Sequence, residues 1–477
     1  MNKTVSNLFY QTIYQLIKII IPIVTIPIAS KALGASGIGL NSFSNSIAQY
    51  FVLFSSLGIS LYGNREIAIN RENKKLKQTF VDIFVMKLLT TMFSLITYGI
   101  IIITLFNNQI LLFSIQSLYI ISVVFDVSWY FMGMEDFKKT SIASFFSQVT
   151  VFVLIITFVK TPEDVYLYAI ILSIGALLSQ IIPIFFLKNL FMDYREIKYA
   201  FKLDNIWKHF KGTLKYFMPQ VGILLYSTVN RTFLGLFADY ESVGYYTNSM
   251  SLISAIITVI TTIDIVMLPK MANMFSKKEI EKIDDLVSMT LGIELFIAIP
   301  SMIGIISISS VFVPWFFGND FLNLIYILPL ESLLIIIVPI GVSISRQYLI
   351  PMGNTKDYTI SIFIGAGISI LLSMLLIGKI GVYGAIVSNI SAELLITLYR
   401  IFWSKKNTRL QIDIGNLMKI LISSFVMGIF TYMIFRYVSI NIFSLLLVIT
   451  MAGIIFLVLC IILKVKEINL IKNIWKR

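Results

Sequence analysis

Nine ionisable side chains inside long apolar runs of this sequence are the functional candidates: Lys18, Lys87, Asp126, Arg231, Asp264, Glu294, Glu331, Arg346 and Glu393. Each costs about 2.5–3.5 kcal/mol at the centre of a bilayer unless it faces a cavity or a partner, so chemistry is to be sought there first. Cations at depth suit an anionic cargo, because Arg grips phosphate oxygens through paired donors and Lys supplies a point charge. Lys18, Arg231 and Arg346 are the candidates for that role. Carboxylates at depth suit a coupling cation, H⁺ or Na⁺, whose binding biases alternating access; Asp126, Glu294, Glu331 and Glu393 are the candidates for ion coupling or gating. The same groups could instead form structural pairs, and Arg231, Asp264 and Arg346, close to the ends of their runs, could snorkel.

Other chemistries are poorly served. There is no phosphate-binding GxxxxGK[ST] stretch, and a single histidine, His209, excludes the usual zinc motifs. The lone cysteine, Cys460, excludes a disulfide framework or a thiolate metal site. The expectation is therefore a protein that is not an enzyme and uses no cofactor and no metal.

The elements that must position these charges are membrane spans. At 477 residues, 57% hydrophobic and 13% charged, with mean hydropathy +0.88, the chain has more apolar surface than a soluble fold can bury. Runs of about 18 residues or more, enough to cross a 30 Å hydrocarbon core, number fourteen. They lie at 10–30, 40–61, 80–104, 110–131, 142–160, 165–187, 213–237, 245–268, 286–310, 324–350, 358–377, 381–403, 414–436 and 439–463. The first contains Lys18, Pro22 and Pro27 and is followed directly by the second, so it is expected to remain as a span. These two form a hairpin, PIVTIPIASKALGASGIGLNSFSNSIAQY from Pro22, in which Gly34, Gly37 and Gly39 are expected to let the chain turn. Asn41, Ser42, Ser44, Asn45, Ser46 and Gln49 imply that the second span has a packed or water-facing side.

One set of connections, alternating along the chain and including both termini, holds 27 of the 38 Lys and Arg residues, which places both termini in the cytoplasm. Trp129 and Trp403 at cytoplasmic span ends and Trp315 near an outer one agree with aromatic belts. The net charge of +13 is thus a matter of orientation, and nucleic acid is not an expected partner. Within the longest cytoplasmic connection, Leu190, Tyr194, Ile197 and Phe201 recur at helical spacing among basic residues, as in an interfacial amphipathic helix.

A weak repeat organises the spans. Ser44 and Ser46 meet Ser249 and Ser251 at an offset of 205, and Met132, Gly133 and Ser141 meet Met352, Gly353 and Ser361 at 220. Six spans separate the copies, so both share one orientation and are related by an axis along the membrane normal. The expected fold is an all-α integral membrane protein of 14 transmembrane helices, two six-helix lobes related by a pseudo-twofold plus two C-terminal helices. Its parts are 1–187, a cytoplasmic linker 188–212, 213–403, and the last two spans with the tail, 404–477. At the 220 offset Asp126 falls on Arg346, and an ion pair between them is expected to act as a cytoplasmic gate.

KALGASGIG at Lys31, LGISLYGNREIA at Leu57, RTFLGLFADYESVGYY at Arg231, QYLIPMGNTKDY at Gln347 and IGVYGAIVSNISAE at Ile380 carry a family resemblance over nearly the whole chain. It resembles the polysaccharide transporter (Wzx-type) oligosaccharide flippases of the multidrug/oligosaccharidyl-lipid/polysaccharide superfamily. Relatives often have an acidic residue where this chain has Asn230, so an ionic role at that position is not carried over. The resemblance implies a cationic cavity between two lobes, opening alternately to each side, with two peripheral helices and an ion gradient as the drive. The implied cargo is a polyprenyl diphosphate-linked oligosaccharide, moved across the bacterial cytoplasmic membrane for capsule, exopolysaccharide or O-antigen assembly. Membrane lipid and the polysaccharide polymerase machinery are the implied partners. A drug/cation antiporter or a lipid II flippase has the same fold. A membrane glycan polymerase or ligase is disfavoured by the short outer connections, and a pure scaffold by the buried charges. Reporter fusions after Arg477 and within 188–212 are expected to read as cytoplasmic; an outward-facing signal from either would overturn the orientation.

Overall fold

The computed structural model describes residues 3–72, 75–187, 201–410, 413–438 and 440–468, with side chains from residue 21 onward except at 203 and 280. Among these residues there are helices and no strands. That is what an apolar solvent demands, since a helix satisfies its own backbone hydrogen bonds. The chain divides into two compact units, Met1–Gly244 and Tyr245–Arg477.

Unit 1 contains α1 (Lys3–Ser56), α2 (Ile59–Asn70), α3 (Leu76–Leu105), α4 (Ile110–Phe125), α5 (Ser128–Gly133), α6 (Phe137–Phe158), α7 (Val165–Ile184) and α8 (Leu203–Phe237). The boundary falls inside α9 (Tyr240–Ile260). Unit 2 continues with α10 (Thr262–Ser276), α11 (Ile280–Phe316), α12 (Leu324–Glu331), α13 (Leu334–Ile344), α14 (Thr355–Ile380), α15 (Val382–Asn407), α16 (Ile414–Phe435) and α17 (Ile442–Ile462). Between α13 and α14, Ser345–Leu349 form a π-helical turn, a geometry often found at functional sites.

Twelve stretches are long and apolar enough to cross a membrane. The count differs from fourteen for two physical reasons. The stretch Ile21–Asn70 is counted once, although the left-handed backbone of Gly34 (φ 67°) divides it into the two expected spans and Leu57 and Gly58 break it again before α2. Helix α8, which carries the seventh expected span, is not among the twelve: Lys215, Gln220, Asn230 and Arg231 interrupt its apolar run. The partition into lobes at 187 and 213 follows the repeat and differs from the contact division at Gly244, because α8 packs on α1, α2 and α3 of unit 1. Of the connection 188–212, Leu190, Tyr194 and Ile197 lie outside the described residues, and Phe201 is exposed.

Only the first of the three glycines near the hairpin makes the turn. Gly37 and Gly39 are helical, and their role is close packing. A Cβ on Gly39 would stand 1.6 Å from the Tyr240 carbonyl oxygen, and one on Gly244 would stand 2.1 Å from that of Ala35. Here α1 and the start of α9 touch backbone to backbone, as small residues allow in membranes. Below this crossing, the polar face of α1 packs on α4 and α8. Gln116 Nε2 donates to Asn41 Oδ1 and Ser44 Oγ (both 3.1 Å), Asn45 Nδ2 donates to Gln116 Oε1 (3.1 Å), and Thr232 Oγ1 is 3.0 Å from both Ser46 Oγ and Tyr50 OH. The face is a packed one.

Around Trp129, Phe80 and Met86 the core of unit 1 is closed by α2, α3 and α5. In unit 2, Leu295, Phe296 and Ile299 of α11 pack against Ile420, Met427, Phe456 and Cys460 of the last two helices. The chain after α17 then returns to α16: Lys466 N–H donates to Asn416 Oδ1 (3.0 Å), and Asn416 Nδ2 donates to Glu467 Oε2 (2.6 Å). The Lys466 ammonium group, 2.5 Å from Asp413, holds that carboxyl below the usual carboxylate range. Substituting Gly39→Ala should sharply reduce the yield of folded protein in detergent, measured by size-exclusion chromatography, because backbone must move to admit the methyl group. Gly99→Ala, where a Cβ meets nothing within 4 Å, should leave that yield unchanged.

Buried charges and the candidate functional site

Two clusters of buried charge stand out, one in each unit. In unit 1, Lys87 on α3 is 1% exposed. Its ammonium group donates to the Asp126 backbone carbonyl and lies 3.6 Å from Asp126 Oδ2. Helix α4 ends at Phe125, and Asp126 is extended there, which turns both its carbonyl and its carboxylate toward Lys87. The second carboxylate oxygen accepts from Ser128 N–H at 2.9 Å, and the carbonyl also accepts from Trp129 Nε1 at 3.0 Å. The pair is neutral. Asp126 therefore has a partner in its own unit, and a gate with Arg346 would require it to leave Lys87.

A third titratable cluster, near the start of α8, joins His209 to α2 and α3. Tyr62 OH is 2.8 Å from His209 Nδ1, Asp82 Oδ2 is 3.7 Å from Nε2, and Gln78 Nε2 donates to Asp82 Oδ1 at 2.6 Å. These contacts tie α8 to the helices before it.

Unit 2 is less balanced. Asp264, in the first turn of α10, and Glu294, in the middle of α11, are 0% and 1% exposed. Their carboxyl groups lie against each other, and Arg346 of the π-helical turn acts on both. Gln347 Nε2 donates to Asp264 Oδ1 (2.6 Å) and to Ser343 Oγ (2.9 Å), while its Oε1 accepts from Thr290 Oγ1 (2.9 Å). Arg346 Nη1 donates to the Thr261 carbonyl at 3.4 Å. Asp264 Oδ2 and both oxygens of Glu294 meet no donor among the described residues. Buried acceptors are rarely left so.

The remaining candidates are dispersed. Glu331 ends α12 beside the break at Ser332 and Leu333; it is fully buried, and neither carboxyl oxygen has a partner among the described residues. Ser249 is near it, but its hydroxyl already donates to the Tyr245 carbonyl at 2.8 Å. Glu393 on α15 is half-buried, with Arg400 acting on it from two turns further along. Arg231 is half-buried on α8, beside Thr232 and within electrostatic reach of Tyr50. The Lys18 side chain lies outside the described residues.

Sequence reasoning thus found Glu294 and Arg346 and the structure brings them together, but it did not connect Lys87 with Asp126 or single out Gln347. The available signals were spacings: Ser343 and Gln347, like Thr290 and Glu294, are four residues apart and share a helix face. Arg400 is a further buried cation, donating to Ser361 Oγ (3.0 Å) and the Gly341 carbonyl (2.9 Å) and standing over the Tyr358 ring. On another side of α11 a cleft of about 700 Å³ is lined by Asp284, Asp285, Arg409, Asp413, Lys466 and Glu467 among others. Asp284 is engaged there by Tyr348 OH (2.7 Å) and Arg409 N–H (3.1 Å).

The sequence profile of polysaccharide biosynthesis proteins matches residues 4–275. Among curated proteins, one from Escherichia coli K12 named "Putative O-antigen transporter" is 22% identical over 412 residues, 84% of this chain and 96% of that protein. Another of the same name from Shigella dysenteriae is 22% identical over 79% of this chain and 94% of its own length. Among solved structures, a lipid II flippase MurJ in an inward closed conformation superposes with a TM-score of 0.78 at 19% identity, covering 95% of this chain and 98% of that one. An inward-facing multidrug-resistance transporter of the MATE family gives 0.63 at 13% identity, over 84% and 96%. At these identities the likeness is one of fold.

Breaking the Lys87 and Asp126 pair leaves an uncompensated charge, so Lys87→Met should cost about 3–5 kcal/mol. Adding Asp126→Asn to it should recover part of that loss. Thermal unfolding in detergent checks both; a double variant less stable than Lys87→Met would show that Asp126 serves Ser128 rather than Lys87.

Proposed function

Because the chain belongs to the polysaccharide biosynthesis protein family, we propose that it is a flippase carrying a polyprenyl diphosphate-linked oligosaccharide from the inner to the outer leaflet of the bacterial cytoplasmic membrane. The work is alternating access between two six-helix lobes, with both termini in the cytoplasm and no bond made or broken. Capsule, exopolysaccharide or O-antigen assembly is the process served, and polymerase machinery is the consumer of the product.

The observation that carries this reading is Arg346. A half-buried guanidinium inside a run of apolar helix uses one of its five donors on the Thr261 carbonyl, at 3.4 Å. Donors remain that fit the paired oxygens of a diphosphate. Family membership, the names of the two curated relatives and a MurJ-like fold support the same reading. Lys18 and Arg231 complete the set of cavity cations in the proposal, and Asp126, Glu294, Glu331 and Glu393 are its ion-coupling or gating groups.

Charge and fork geometry should then both matter at Arg346. In a flippase-null strain, at matched membrane expression, Arg346→Lys is expected to retain part of the complementation and Arg346→Gln to lose it. Lys18→Arg should likewise outperform Lys18→Gln. If Arg346→Gln and Lys18→Gln both complement as well as the parent, these cations do not hold the cargo.

A further inference from the structure

The unsatisfied oxygens of unit 2 call for a ligand. Asp264 Oδ2 and Glu294 Oε1 and Oε2 each expose less than 1 Å² and meet no donor among the described residues. Two ionised carboxylates in contact within an apolar interior repel strongly, and neither is solvated. The charged groups acting on Glu294 are Asp264 from α10 and Arg346 from the π-helical turn. Those acting on Asp264 are the same Arg346 and Glu294, with Gln347 and Ser343 as its polar neighbours. Two negative charges against one positive charge leave a deficit of a single positive charge.

The Gln347 amide beside the pair is already committed. Gln347 gives its amide hydrogens to Asp264 and Ser343 and takes Thr290's hydroxyl on its oxygen. A metal cation would find two carboxylates here and no third His, Cys, Asp or Glu converging with them among the described residues, a sparse set for an ion that takes many oxygens. A proton needs only two oxygens facing each other. It satisfies both orphaned groups at once, turning an acceptor against an acceptor into a donor against an acceptor.

We propose that Asp264 and Glu294 form a one-proton site, holding a single proton between their carboxyl groups in the conformation described, with Gln347 fixing Asp264 and Arg346 balancing the remaining charge. The site deepens the flippase reading by naming its coupling ion, and in that respect it rests on that reading. Releasing the proton leaves two bare carboxylates that compete for Arg346. The guanidinium is then drawn from cargo toward the pair, so that proton occupancy and diphosphate binding favour one another. The coupling is reciprocal by necessity.

The site can be tested without any cargo, so an error about the cargo would not disturb the result. Full-length protein in lipid vesicles at neutral pH, in a Glu331→Gln background, is compared by infrared spectroscopy in the carbonyl-stretch region of protonated carboxylic acids. Asp264→Asn and Glu294→Gln are each expected to remove the same band, and the double variant is expected to remove no more than either alone. No loss in either variant would overturn the proposal, as would a double variant losing twice as much, or loss of the band on adding Na⁺ at constant pH. Should an amide variant fail to fold, Glu294→Asp, which keeps the carboxyl group, should shift the band; an unshifted band would also overturn the site. In complementation, made in the chain that keeps Glu331, the amide variants are expected to lose transport, and normal transport alongside a lost band would remove the coupling role.

Discussion

An ionised group in hydrocarbon must find its counter-charge and its hydrogen bonds within the protein, because no water is there to supply them. Lys87 shows the constraint being met. Its ammonium group reaches both the carbonyl and the carboxylate of Asp126, and that double contact depends on α4 ending at Phe125 so that Asp126 can leave helical geometry. The break in turn frees the short helix α5, whose Trp129 fills the centre of the surrounding core and hydrogen-bonds the same carbonyl. Gly63 of α2 and Gly133 of α5 are there to let neighbours approach: a Cβ on either would stand 2.6 Å from Trp129 or Ile67. One buried charge thus dictates a helix end, a turn and the packing around it.

The same constraint explains which features are legible in the amino-acid order. Apolar runs declare themselves because a span must be long and nearly uncharged, and the described helices follow them closely. Helix α8 is the exception that tests the rule. Its polar residues Asn230 and Thr232 are buried against other helices, so it meets protein where a lone span would meet lipid, and hydropathy undercounts it. The hairpin glycines were visible, but not their division of labour: a turn at Gly34 needs only local geometry, whereas the contact of Gly39 with Tyr240 joins residues 201 positions apart. Buried charges were legible one by one and illegible in pairs. Lys87 and Asp126 lie 39 residues apart on different helices, and nothing in their spacing announces the contact.

Comparing the two units by chain order sharpens the point. The order of helices in unit 1, from the second half of α1 to α7, recurs from α9 to α15 in unit 2. In both, the third helix of the series carries a deeply buried charge and the turn that follows the fourth span carries its opposite: Lys87 with Asp126 in the first copy, Glu294 with Arg346 in the second. The signs are exchanged, and each arrangement alone would be neutral. At the 205-residue offset, however, Asp264 falls on Ile59, a fully buried apolar residue of the core in unit 1. Unit 2 therefore has one carboxylate more than its counterpart, on the very helix that faces the pair. Structural pairing alone does not account for that addition, because a buried ion pair gains no stability from a second anion and the apolar residue at the equivalent place packs well. An excess anion that has no fixed counter-charge is useful only if its counter-charge comes and goes. A proton is the smallest species able to do so in a site whose Gln347 amide is already paired, and its coming and going would alter how much of Arg346's charge is left for anything else.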